Sequence, residues 1–175
     1  MTTSTRGAGE RADLLAALAA RRHFLRVTVR DLTDEQARQR TTASELTLGG
    51  LIKHVADTEQ GWANFMVEGP SAMGDFSAMT EADFARWADQ FKLLPGQTLA
   101  GVLDSYAEVA RRTDELVAAL PDLDAAHPLP KAPWFPPGEH WSARRVILHI
   151  IAETAQHAGH ADIIRESLDG AKSTG

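Results

Sequence analysis

Within VILHIIAETAQHAGHADIIRESL, residues 146–168, four ionisable side chains recur at helical spacing: His149, Glu153, His157 and His160. Steps of three and four residues place Val146, Ile150, Glu153, His157, His160 and Ile164 on one face of an α-helix. The ends of that stripe are aliphatic, as a core-facing stripe should be, but its middle carries a carboxylate and two imidazoles. Burying such groups unpaired costs several kcal/mol, so they are normally paired or bound to a metal. Glu153 and His157, four apart, reach the same point beside the helix, and His149 lies one turn earlier. Imidazole nitrogen and carboxylate oxygen suit a divalent ion at about 2.0–2.2 Å: zinc first, or nickel, iron or manganese in a more open geometry. Two ligands from one helix need a third from elsewhere. His54, at the edge of a second apolar stripe, is the best placed. Three protein ligands, His54, Glu153 and His157, leave room for water or substrate on the metal. A buried hydrogen-bond network of Glu153 with the histidines would satisfy the same groups.

The elements that must position these residues can be read from periodicity and punctuation. A first helix is expected over Glu10–Asp31, with Leu14, Leu18, Leu25 and Val29 inward and His23 beside the stripe. Thr33 and Gln36 can cap a short turn of helix. Thr47 can cap a second long helix, which carries His54 and ends at Gly69-Pro70. A short covering helix follows from Thr80 to about Phe91, with Phe84, Trp87 and Phe91 along one side. A third long helix is expected over Thr98–Leu120. The next segment, PDLDAAHPLPKAPWFPPGEHW, holds six of the eight prolines and reads as an irregular, stiff loop. Its rings, Trp134 and Trp141, suit a pocket wall or a plug for an open end; His127 and His140 lie on it too. Ser142 can cap the fourth long helix and Gly170 can end it. Four long helices without a convincing strand predict an all-α four-helix bundle. The expected layout is a flexible tail at 1–9, one domain over 10–170 and a short tail at 171–175.

Composition narrows the function classes. The chain has a net charge of −6 and no basic cluster, which argues against nucleic acid as a partner. No apolar run approaches the roughly 20 residues needed to span a bilayer, and the start of the chain lacks the apolar core of a secretory signal, so a cytoplasmic protein is expected. With no cysteine, the chain has no thiolate of its own, and any thiol chemistry must use a thiol from outside.

LGGLIKHVADTE together with ETAQHAGHADIIRE resembles the DinB-like superfamily of metal-binding four-helix proteins. In that superfamily a histidine of the second helix and a His-x-x-x-His pair of the fourth hold one divalent metal. Here Glu153 replaces the first histidine of the pair and His157 is the second, a variant similar to that of the mycothiol-dependent maleylpyruvate isomerase branch. His160 falls where many members carry a further histidine that is not usually a ligand. The resemblance implies an up-up-down-down helix order, often a homodimer, and a detoxifying thiol S-transferase or isomerase. Such an enzyme would use an external low-molecular-weight thiol such as mycothiol to attack a small-molecule electrophile. Arg144, Arg145 and Arg165 flank the site and could meet carboxylates. Alternative readings are a metal-dependent hydrolase with His160 or Glu59 carrying protons, and a non-enzymatic metal-binding bundle.

Overall fold

Each long helix after the first begins at a hydroxyl that the sequence places ahead of an apolar run. In the computed structural model, which describes residues 5–74, 76 and 79–173, Thr47 Oγ1 accepts from Gly50 N and caps α3 (Leu48–Glu68). Thr98 caps α5 (Leu99–Ala119) and Ser142 caps α6 (Ala143–Asp169) in the same way. These bonds satisfy amide donors that the first helical turn leaves open. Gly69 and Gly170, both at positive φ, end α3 and α6. The Thr33–Gln36 capping box forms as expected and starts α2 (Asp34–Arg38). The covering helix is α4 (Glu81–Ala88), followed by a 3-10 turn at Asp89–Phe91.

The first helix, α1 (Thr5–Val27), is displaced from its expected bounds. It starts within the stretch assigned to a flexible tail, of which residues 1–4 lie outside the described residues. It stops early because the chain tightens after Val27. Thr28 Oγ1 donates to Leu25 O, Val29 N and Arg30 N bond three residues back, and Asp31 takes a left-handed φ of 61°.

The proline-rich segment is not wholly irregular. β1 (Ala126–Pro128) and β2 (His140–Ser142) pair antiparallel, with His127 opposite Trp141. Strands of three residues are too short to show a period of two. The ribbon also fixes the start of α6, since Ala143 N donates to Ala125 O and Arg144 N to Leu123 O. The described residues are thus mostly helical with one small two-stranded sheet.

Helix direction follows from who shares a core. Leu14 and Leu18, in the middle of α1, share a core with Trp62 and Phe65 of late α3, Val117 of late α5 and Val146 of early α6, and Glu10 of early α1 pairs with Arg144 at the start of α6. Leu25 of late α1 packs with Leu51 of early α3, Val102 of early α5 and Ile164 of late α6. α1 and α6 therefore run one way and α3 and α5 the other: up, down, down, up. This corrects the up-up-down-down expectation. Phe91 O, just ahead of α5, lies against Gly50 near the start of α3, in keeping with α5 starting beside the beginning of α3. No helix among the described residues is long and apolar enough to cross a membrane.

Candidate metal centre

Because α3 and α6 lie side by side in opposite senses, His54 faces His157 and, two turns away, Trp62 faces His149. The 54/157 pair is where the ionisable residues meet. One donor atom each from His54, Glu153 and His157 can be chosen so that all lie within 4.8 Å of one another. The two imidazoles stand edge to face, with centroids 4.7 Å apart. His54 and His157 are only 8% and 9% exposed, whereas Glu153 is half-buried, so the cluster is closed on the core side and open on the other. Glu153 Oε2 lies 3.5 Å from His157 Nε2, and Oε1 lies 3.9 Å from His149 Nε2.

The charge state suits a cation. Burial pushes the His54 imidazole below its ordinary range, opposed by its hydrogen bond to Gln90. The hydrogen bond from His157 holds the Glu153 carboxyl below the usual carboxylate range, against the effect of burial. A carboxylate beside a neutral imidazole is what a divalent ion takes. The backs of both imidazoles are engaged: His54 Nδ1 lies 2.9 Å from Gln90 Oε1, and His157 Nδ1 lies 3.4 Å from His160 Nδ1. Gln90 Nε2 meanwhile is buried with no partner, an expense of about 1–3 kcal/mol that the facing of its oxygen toward His54 leaves in place. The donor set therefore fits a divalent metal held through imidazole Nε2 atoms and a carboxylate oxygen.

Beside the cluster lies a cavity of about 450 Å³, with His54, Glu153, His149 and Gln90 on one wall. The other walls are aromatic. Trp62 lines it and lies flat on Trp141, with centroids 4.9 Å apart and planes 16° apart, and His149 stands edge-on to both indoles. Trp87 of α4 and Trp134 of the proline-rich segment face each other at 6.4 Å, nearly parallel at 10°. The covering helix thus contributes a cavity wall as well as cover. From the proline-rich segment, Trp134 and Phe135 line the cavity, while Trp141 is buried in the core. A wider groove of about 660 Å³ between the end of α1 and the start of α5 includes His23 but lies away from the cluster.

The family profile for mycothiol-S-transferase matches residues 13–170. This chain belongs to the mycothiol-S-transferase family. The family lies in the DinB-like, mycothiol-using branch that the two helical motifs resemble. No curated protein matches the chain. The mycothiol-S-transferase match runs from α1 to the end of α6, and so includes the cluster, the aromatic cavity and the segment that folds over them.

Other residues singled out in this mycothiol-S-transferase sequence sort by what they touch. His160 sits behind His157, half-buried, and does not line the cavity. Glu59 is fully buried and held by Arg22 at two points, Nε to Oε2 at 3.1 Å and NH2 to Oε1 at 2.5 Å. With both oxygens clamped it is a core ion pair and no carrier of protons to the cavity. Arg144 is paired with Glu10 and Asp124, and Arg165 with Asp169 and the carbonyls of Thr28 and Arg30. Arg145 instead lies over the Trp141 ring at 4.8 Å. His127 packs on Phe65, His140 Nδ1 meets Gly138 O, and neither joins the cluster. Gln90 was missed by sequence reasoning, because a lone glutamine 36 residues from its partner carries no periodic signal.

Proposed function

We propose that this chain is a metal-dependent thiol S-transferase that joins a low-molecular-weight thiol, mycothiol in the first instance, to a small apolar electrophile. His54, Glu153 and His157 hold the metal, with zinc the preferred ion. The observation that carries the reading is the meeting of three ligand-type side chains, from helices about a hundred residues apart in sequence, at the wall of an aromatic cavity. The family supports the thiol and the transfer. A divalent ion bound there supplies Lewis acidity, which lets a thiol ionise at neutral pH.

The chain's own residues do the rest. Glu153 balances the cation with its carboxylate, and Gln90 and His160 occupy the far nitrogens of the two imidazoles. His149 faces the cavity, and burial holds it below the ordinary imidazole range, so at neutral pH it is a base able to take a thiol proton. Trp62, Trp87, Trp134 and Phe135 shed water from a flat, apolar electrophile and hold it by ring contact. The absence of cysteine suits the chemistry, because the protein cannot form a mixed disulfide with its own thiol substrate. One domain from about residue 10 to 170, built as a four-helix bundle, accommodates all of this.

The test is metal analysis of protein purified without added metal, followed by conjugation of a haloarene with and without mycothiol. Metal near one equivalent and turnover that needs the thiol are expected. Thiol-independent hydrolysis of an ester or amide by the same protein would overturn the reading in favour of a hydrolase.

A further inference from the structure

We propose that Gln90 is a positioning residue for His54: its side-chain oxygen fixes the imidazole as the tautomer protonated on Nδ1, leaving the Nε2 lone pair for the metal. The inference rests on the metal reading above. An amide oxygen can only accept, so the 2.9 Å contact between Gln90 Oε1 and His54 Nδ1 requires the hydrogen to sit on Nδ1. The Phe91 ring covers the same imidazole, with centroids 4.3 Å apart.

The turn that carries both residues, Asp89–Phe91, is fastened to α3 at either end. Lys53 Nζ donates to Asp89 O at 3.2 Å, and Thr47 Oγ1 donates to Phe91 O at 3.3 Å. Gly50 lets the Phe91 carbonyl sit directly against the helix. Gln90 is thus held from both sides with little freedom to leave His54. Its Nε2 is buried without a partner. The side chain forgoes a bond from its own nitrogen while its oxygen stays on the imidazole. No other side chain is hydrogen-bonded to the His54 ring among the described residues.

The experiment uses the full chain as wild type, Gln90→Leu and Gln90→Glu. Imidazole proton–nitrogen correlation spectra of the metal-free proteins read the His54 tautomer, and chelator competition reads zinc affinity. In wild type the Nδ1-protonated form should dominate. Gln90→Leu should lose that preference and bind zinc about 10- to 100-fold more weakly, the usual effect of losing a partner of a ligating histidine. Gln90→Glu still offers an oxygen and should restore both the tautomer and most of the affinity, a rescue that a packing role would not give. Metal-free melting temperatures should stay close across the series. Unchanged tautomer or zinc affinity in Gln90→Leu would overturn the role, as would Gln90→Glu behaving like Gln90→Leu. Wild type that binds no zinc removes the metal reading and this role together. Wild type that binds zinc no better than Gln90→Leu removes this role alone.

Discussion

The Phe91 carbonyl rests on the backbone of Gly50: a side-chain carbon at residue 50 would fall 1.8 Å from Phe91 O and 2.2 Å from its carbonyl carbon. Both partners there are backbone, so nothing flexible can give way. Gly50→Ala should gain about 1 kcal/mol in helix propensity yet force the Asp89–Phe91 turn off α3. Far-UV circular dichroism should stay helical while zinc affinity falls about tenfold or more, as Gln90 leaves His54. Wild-type affinity in Gly50→Ala would mean that the docked turn does not matter to the site.

Ligands and their supports should separate by metal content. His54→Ala and His157→Ala should each lose most of the bound metal in elemental analysis, although the two residues are far apart in sequence. His160→Ala should keep it at saturating metal, with affinity lowered by about 10- to 100-fold at most, because it meets only the back of His157. Retained metal in His54→Ala with loss in His160→Ala would move the site onto α6 alone.

The Arg22–Glu59 pair predicts a stability effect without a site effect. Side chains 7% and 0% exposed share two hydrogen bonds, and Arg22 also donates to Asp114 at 2.8 Å. Removing one partner strands the other charge, so Arg22→Met or Glu59→Gln should cost about 3–5 kcal/mol in urea unfolding. The double variant Arg22→Met/Glu59→Leu should recover much of that loss. Metal per folded protein should not change in any of the three.

For the metal-free protein, acid should destabilise in two stages. Burial holds His54 and His149 below the ordinary imidazole value of 6.5, and the His157 hydrogen bond holds Glu153 below the ordinary 4.5. In each case the unfolded chain binds protons more readily than the folded one, so stability rises with pH between the folded and unfolded values. The melting temperature in chelator should therefore begin to fall as pH drops below about 6.5, and fall further below about 4.5. His149→Gln should flatten the first stage. A melting temperature that rises on acidification would contradict this assignment.

How far the sequence went depends on the range of each signal. Helices α3, α5 and α6 were readable because their apolar residues repeat locally and their caps, Thr47, Thr98 and Ser142, precede those runs directly. Glu153 and His157 stood out because ionisable groups interrupt an apolar stripe, and that His54 comes within reach of them is what the helix packing adds. Helix direction was not readable, because it shows only in contacts between distant residues, such as the Phe91 carbonyl against Gly50. Gln90 and the pairing of His127 with Trp141 share that character. Each is one contact between distant residues, with no period to announce it.

The chain's four tryptophans all belong to one place. Trp62, Trp87 and Trp134 line the cavity, and Trp141 lies flat on Trp62. The single tyrosine, Tyr106, is buried in the other core cluster. Tryptophan emission therefore comes from the cavity wall and from the one indole stacked on it. A guest that strips water from those indoles, or an ion that quenches them, changes the colour or brightness of nearly all the light the protein gives out. Unlabelled protein is its own optical sensor, and compound libraries can be screened against it with a plate fluorimeter before any substrate is known.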